Sequence, residues 1–187
     1  MDPASRLYLL LERIGHLLRV EARQLPEGLD PIHAHALTYL ARANRFSDTA
    51  GAVAAYLGVG KGSVSQSLAL LGRRGLLTAT VDPQDRRRRH LSLTRKGKAV
   101  VARLLSAGGW AAAAATLGPA ADRLEGDLTR LLAALQQGHG GRTFGVCATC
   151  RHLVTTGQGL RCGLTDLPLS RAETAQICQD HAPQSPP

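Results

Sequence analysis

The sequence predicts a mainly α fold with one small β-hairpin. It consists of a helix–turn–helix and hairpin flanked by dimerisation helices, plus a small Cys-rich appendage near the C-terminal end. Three observations carry this. Apolar residues recur at 3, 4 spacing over most of the first 140 positions. Two short, partly alternating segments, LLTATV and HLSLT, flank the charged stretch DPQDRRRR. All four cysteines fall within the segment Cys147 to Cys178.

In chain order, Leu7, Leu10, Leu11, Ile14, Leu17 and Leu18 lie on one stripe of a helix over residues 5–24. QLPEGLDP ends it. Asp30 is placed to cap a second helix, Pro31 to Ala43, with proline at its first position and Ile32, Ala36, Leu37 and Leu40 facing inward. Two short helices follow. Ser47 or Asp48 is expected to cap the first, Gly58–Gly60 to form the turn, and Lys61 to Arg74 to form the second. After Gly75, LLTATV and HLSLT are expected to pair as strands. Thr94 should cap the next helix, which breaks at Gly108–Gly109 before the run Ala111–Ala115. Pro119 should start the last long helix. A helix–turn–helix followed directly by a hairpin is the winged-helix arrangement. The expected division is a winged-helix and dimerisation domain over 1–138, a linker over 139–143, a Cys-rich appendage over 144–182 and a disordered tail over 183–187.

Only six of the 187 residues are aromatic, so the core must be built from Leu, Ala and Val. No apolar run is long enough to span a membrane. The N-terminal segment has charges among its leucines and lacks the apolar centre of a secretory signal. A cytoplasmic protein is expected, in which clustered thiols serve as metal ligands or redox groups. The net charge is +9. Residues 42–103 alone carry +10, leaving the remainder at −1. Concentrating the excess in one segment points to a polyanion, and double-stranded DNA is the usual one.

Lys61, Gly62 and Ser63 open the helix that would enter a major groove. Their small size allows close approach, and free N–H groups there can hold a phosphate. Ser63, Ser65 and Gln66 can bond base edges, Gln being suited to adenine. Val64, Leu68, Leu71 and Leu76 should face the core. Arg73 and Arg74 are placed to reach phosphates. Arg86, Arg87, Arg88 and Arg89 form a run that repels itself in water but suits a narrow minor groove.

The order Val64–Ser65, Gly75–Leu76, Asp82-Pro-x-Asp-Arg-Arg to Arg87, and Leu93-Thr-x-x-Gly97 resembles the signature of MarR-type winged-helix transcription regulators, over roughly residues 5–137. The resemblance implies a homodimer that reads two half-sites, and an effector site between the dimer helices and the winged domain, for which His16, His33 and His35 are candidates. It implies that Asp82 and Asp85 shape the wing, Asp85 pairing with Arg87, which leaves Arg86, Arg88 and Arg89 as the DNA contacts. Many members carry Arg or Lys where this chain has Gln66, so base preference stays open.

The cysteines follow the spacing Cys147-x2-Cys150-x11-Cys162-x15-Cys178, with His181 after two further residues. The first pair has metal-knuckle spacing, and a metal is a natural source of folding energy for so small a segment. Two ligand sets compete: the four cysteines, or Cys147, Cys150 and Cys178 with His181. Two metals compete as well. Zinc ranks slightly ahead of a [4Fe–4S] cluster, whose modules usually carry more aromatic residues than Phe144. Zinc would make the segment a clasp, and a cluster would make it a sensor. The leading function is a dimeric DNA-binding regulator of the repressor type, and not an enzyme, since no nucleophile–base–orienter set is present. An iron–sulfur redox subunit and a zinc-stapled protein-interaction module are the alternatives.

Overall fold

The computed structural model describes residues 1–22, 29–106, 109–138, 142–157 and 159–184. The expected break at Gly108 and most of the expected linker fall outside these residues.

Helix α1 spans Pro3–Ala22, and its apolar stripe faces outward, with Leu10 61% exposed. Helix α2 spans Pro31–Leu40, with Pro31 at its first position and Asp30 as N-cap. The Asp30 N–H donates to His33 Nδ1 at 2.9 Å, completing a capping box. His33 is therefore a buried residue engaged in the cap, its pKa pushed down by burial.

Helix α3, Ala50–Leu57, is capped by neither Ser47 nor Asp48. Thr49 is the N-cap and accepts from the Ala52 N–H at 3.2 Å. Ser47 is fully buried and Asp48 is committed to the wing. Gly58, with φ 64°, ends α3 in the left-handed conformation. Helix α4, Lys61–Arg73, then leads through Gly75 into strands β1, Leu77–Val81, and β2, Arg89–Leu93, an antiparallel pair with Ala79 opposite Leu91.

Thr94 caps α5, Arg95–Ser106, accepting from the Gly97 N–H at 3.1 Å and donating to the Gly75 carbonyl at 2.6 Å. Gly97 is fixed by space. A Cβ there would lie 2.0 Å from the Leu76 carbonyl oxygen. Helices α6, Gly109–Ala115, and α7, Ala120–Gly138, contain no buried residue. No helix among the described residues is long and apolar enough to cross a membrane.

The C-terminal segment holds a 3-10 turn at Cys147–Thr149 and a three-stranded antiparallel sheet, in the order β3 (Leu153–Thr156), β4 (Gly159–Cys162) and β5 (Leu167–Leu169). A short helix α8, Arg171–Thr174, follows. This segment is docked on the winged domain. Ile177 belongs to the same core as Leu37, Val53, Val64, Leu71 and Leu76. Its carbonyl accepts from the Asn44 N–H at 2.9 Å, and its N–H donates to the Arg42 carbonyl at 2.7 Å. Phe144 stands edge-on to Tyr56 at 5.3 Å and to Tyr39 at 6.2 Å. Pro183 and Gln184, expected in the tail, pair with Cys150 and Thr149.

Candidate nucleic-acid interface and cysteine cluster

Helix α4 divides by burial along its length. Val64, Leu68 and Leu71 are buried, while Lys61, Gly62, Ser63, Ser65, Gln66 and Arg73 are exposed. The 3.6-residue period thus sends one face into the core and leaves the polar face at the N-terminal end free to meet another surface. Arg74, at the C-cap, is half-buried.

The wing is shaped by a relay that runs through His90. Its Nδ1 lies 2.7 Å from Asp48 Oδ1 and its Nε2 lies 2.9 Å from Asp82 Oδ2. Asp82 Oδ1 also accepts from the N–H groups of Gln84 (2.7 Å) and Asp85 (3.0 Å), curling the loop. Bonding to His90 and to these N–H groups lowers the Asp82 pKa to about 2. The two carboxylates raise that of His90, Asp82 having the larger effect. Burial raises that of Asp48.

Asp85 accepts from the backbone N–H of Arg87 at 3.0 Å, so the wing-shaping bond runs to the Arg87 main chain. Arg86, Arg87 and Arg89 are exposed. Arg88 turns inward instead. Its Nη2 donates to the carbonyls of Phe46 (2.9 Å) and Arg45 (3.3 Å), and its Nε is buried without a partner.

The four cysteines line one mostly apolar cavity beneath the sheet, together with Phe46 and Leu169. The cavity itself is small, about 20 Å³. The 3-10 turn places Cys147 and Cys150. The register Leu153–Cys162 carries Cys162 to the same side, and the chain after α8 supplies Cys178. All four thiols are free. Two sulfurs receive N–H donors: Cys147 from Asn44 Nδ2 at 3.4 Å and Cys150 from the Ala182 N–H at 3.5 Å. Cys147 and Cys178 are neighbours, and each shifts the other. The neighbouring Cys147 thiol brings Cys178 down to about 6, whereas Cys178 and burial push Cys147 up. Among the described residues, no three His, Cys, Asp or Glu side chains stand close enough together to grip a single ion.

His181 is turned away from this cavity. Its Nδ1 lies 2.6 Å from Thr143 Oγ1 and its Nε2 lies 3.0 Å from Thr149 Oγ1, and it packs where a Cβ on Gly145 would sit. Sequence spacing could not reveal this, because both threonines come from other parts of the chain. His152 and Asp180 line the cavity instead.

Residues 27–88 match the model of the MarR family. The fold has the same affiliation. MepR, a transcription regulator of the Staphylococcus aureus multidrug efflux pump MepA, superposes with a TM-score of 0.56 at 22% identity, over 73% of this chain and 100% of its own. Streptococcus pneumoniae FabT in complex with DNA gives 0.54 at 24% identity, over 74% and 98%. The S. aureus MepR–DNA complex gives 0.53 at 21%, over 72% and 97%. The chain carries a MarR-type winged-helix fold. No curated protein matches it in sequence.

On this fold the expected recognition residues lie together on one exposed helix face, and the expected core residues of α4 lie opposite. Two wing features escaped the sequence. His90 was not assigned a role, although its position after the arginine run, eight residues from Asp82, is the one local signal for it. Asp48, 42 positions away, carries no such signal.

Proposed function

We propose that this chain is a dimeric, sequence-specific DNA-binding transcription regulator of the repressor type, cytoplasmic and without enzymatic activity, with a metal centre held by its four C-terminal cysteines. The observation that carries the DNA-binding reading is the pairing of an exposed polar helix face, Lys61 to Gln66, with an arginine wing held in shape by Asp48, His90 and Asp82. Ser63, Ser65 and Gln66 then read base edges, Lys61 and the N–H groups of Gly62 and Ser63 hold phosphates, and Arg73 and Arg74 anchor the helix end. Arg86, Arg87 and Arg89 reach the minor groove. Arg88 supports the wing from inside. The DNA complexes of FabT and MepR lend support at the level of fold.

A second copy covers the apolar faces of α1 and α7. Leu124, Leu128 and Leu132 recur every four residues on α7 and are 39–54% exposed. A 19-residue helix with no buried residue gains its stability from a partner. A small effector would find an apolar cleft between α1 and α6, lined by Ile14, Leu17 and Trp110.

The metal reading rests on the four thiols lining one cavity, with N–H donors already on two sulfurs. The four-cysteine set is preferred to the set with His181, whose ring nitrogens both have threonine partners.

Selection of duplexes from a random library, followed by anisotropy titration over a range of salt, tests the DNA reading. A selected duplex should bind at least about a thousandfold more tightly than unselected DNA. Uniform binding to all duplexes would refute sequence-specific reading.

A further inference from the structure

The cysteine segment touches the winged domain at the loop that also holds the wing. Asn44, fully buried, donates to Cys147 Sγ. Ser47 Oγ, also buried, accepts from the Gln179 N–H at 2.8 Å, one residue beyond Cys178. The Phe46 carbonyl accepts from two sides: Gln179 Nε2 at 3.0 Å from the cysteine segment, and Arg88 Nη2 at 2.9 Å from the wing. The Phe46 ring lines the cysteine cavity. The next residue but one, Asp48, binds His90 through its side chain and accepts from the Leu91 N–H at 2.7 Å through its carbonyl. Loop 44–48 is thus bonded at one end to cysteine ligand positions and at the other to the base of the arginine wing.

The arrangement of the thiols bears on what they hold. A tetrathiolate zinc site needs Zn–S distances of about 2.3 Å, so its sulfurs must converge on a point. Here the four thiols line one small, mostly apolar cavity with Phe46, Leu153 and Leu169, and among the described residues no three donors stand close enough to grip a single ion. Four thiolates around an apolar space, with N–H donors on sulfur, suit a polynuclear centre built from iron and sulfide. The lack of three converging donors therefore reverses the order of preference that spacing alone suggested, the thiols moving apart to admit a cluster.

We propose that the four cysteines hold an iron–sulfur cluster and that its occupancy sets the grip of the wing on DNA through Asn44, Phe46 and Gln179. This rests on the DNA-binding and metal readings above. The cluster closes Cys147, Cys150, Cys162 and Cys178 around one body, each thiol releasing its proton to solvent, and so fixes the chain on either side of Cys178. Gln179 then holds the Phe46 carbonyl where Arg88 meets it. Without the cluster, loop 44–48 loses one of its two supports, and the wing with it. Occupancy is the controlling variable; no electron transfer is involved.

The test uses the full chain, purified without oxygen and supplied with ferrous and ferric iron in equal parts, sulfide and a thiol, beside the chain stripped by chelator and the chain supplied with zinc alone. The expected result is iron and acid-labile sulfide in equal amounts with a visible thiolate-to-iron absorption. Zinc uptake with no iron–sulfur absorption, or no metal bound, overturns the cluster. A duplex selected by the protein is then titrated with the loaded and stripped forms. Loading should tighten binding by on the order of 5- to 150-fold, the usual range of coupling between sites. Equal affinity of the two forms overturns the coupling while leaving the cluster standing. Failure of both forms to prefer any duplex would instead strike the DNA reading itself. Gln179→Ala separates coupling from mere folding: it should keep its iron and sulfide yet bind the duplex as the stripped protein does. If Gln179→Ala binds as tightly as the loaded parent, the proposed route through Phe46 is wrong.

Discussion

Asn44 Nδ2 donates to the Sγ of Cys147 at 3.4 Å, joining two residues 103 positions apart in a fully buried contact. The same side chain accepts from the Phe46 N–H through its Oδ1 at 3.1 Å. Asn44 thus forms the loop before α3 and receives the first cysteine of the C-terminal segment with one amide group. Asn44→Ala should lower stability by about 1–3 kcal/mol, the range for leaving buried polar groups unpaired. Thermal unfolding followed by circular dichroism checks this, and an unchanged midpoint would show that the contact adds nothing.

Gly97→Ala should be at least as damaging, for a different reason. Its methyl group would meet the Leu76 carbonyl at 2.0 Å, so α5 and the start of β1 must move apart. A loss of roughly 2 kcal/mol or more is expected from overpacking against backbone. Chemical denaturation gives the value. A midpoint equal to that of the parent would mean that the two elements can separate without cost.

The wing should depend on pH through His90. Its pKa is raised above the ordinary 6.5 by bonding to Asp82 and Asp48, with burial and, less, Arg88 acting in the opposite sense. A group whose pKa is raised on folding stabilises the folded form below its unfolded value, and that stabilisation is lost as pH rises through the folded value. Affinity for a selected duplex should therefore decline as pH is raised from below 6.5 through the raised value. In His90→Gln that decline should disappear. Parallel pH profiles for parent and variant would sink the assignment.

The arginines should separate into two kinds. Alanine at Arg86, Arg87 and Arg89 together should weaken binding to all duplexes and reduce the salt slope by up to about 0.9 for each phosphate left unneutralised. Arg88→Ala should act chiefly on stability of the loop at Phe46, since its guanidinium is spent on carbonyls. Salt titrations of both variants beside their unfolding curves distinguish the two. A salt slope that falls as much for Arg88→Ala as for the triple variant would mean that Arg88 swings out to DNA.

Cys162→Ser and His181→Ala test the ligand set. Cys162 faces the cavity and His181 does not. Metal content should fall in the first variant and persist in the second. Retention of metal by Cys162→Ser, with loss in His181→Ala, would restore the histidine-containing set.

The sheet β3–β5 and helix α8 were not legible in the sequence, whereas the order of helices and strands as far as α7, the faces of α4, the caps at Asp30 and Thr94 and the basic wing were. They depend on residues within a few positions of one another: helical period, proline and glycine placement, and hydroxyl or carboxylate groups beside a helix start. The choice of Thr49 over Ser47 and Asp48 as cap was not legible, because the two losing candidates have partners far away, Gln179 for Ser47 and His90 for Asp48. The inward turn of Arg88 has the same cause. In a row of four identical side chains, only packing against Arg45 and Phe46 singles one out.

By itself the sequence determined that there is a winged helix, that its basic residues gather on it, and that four cysteines share one segment. Tertiary structure alone decided that the cysteine segment is seated against the winged domain through Ile177, that the four thiols face one cavity while His181 bonds two threonines, and that loop 44–48 belongs to both the wing and the cysteines. Local pattern fixes what a segment can become, since its periodicity is written in neighbouring residues. Which segments then meet depends on buried bonds between positions more than 100 residues apart, and no window along the chain contains both ends of such a bond.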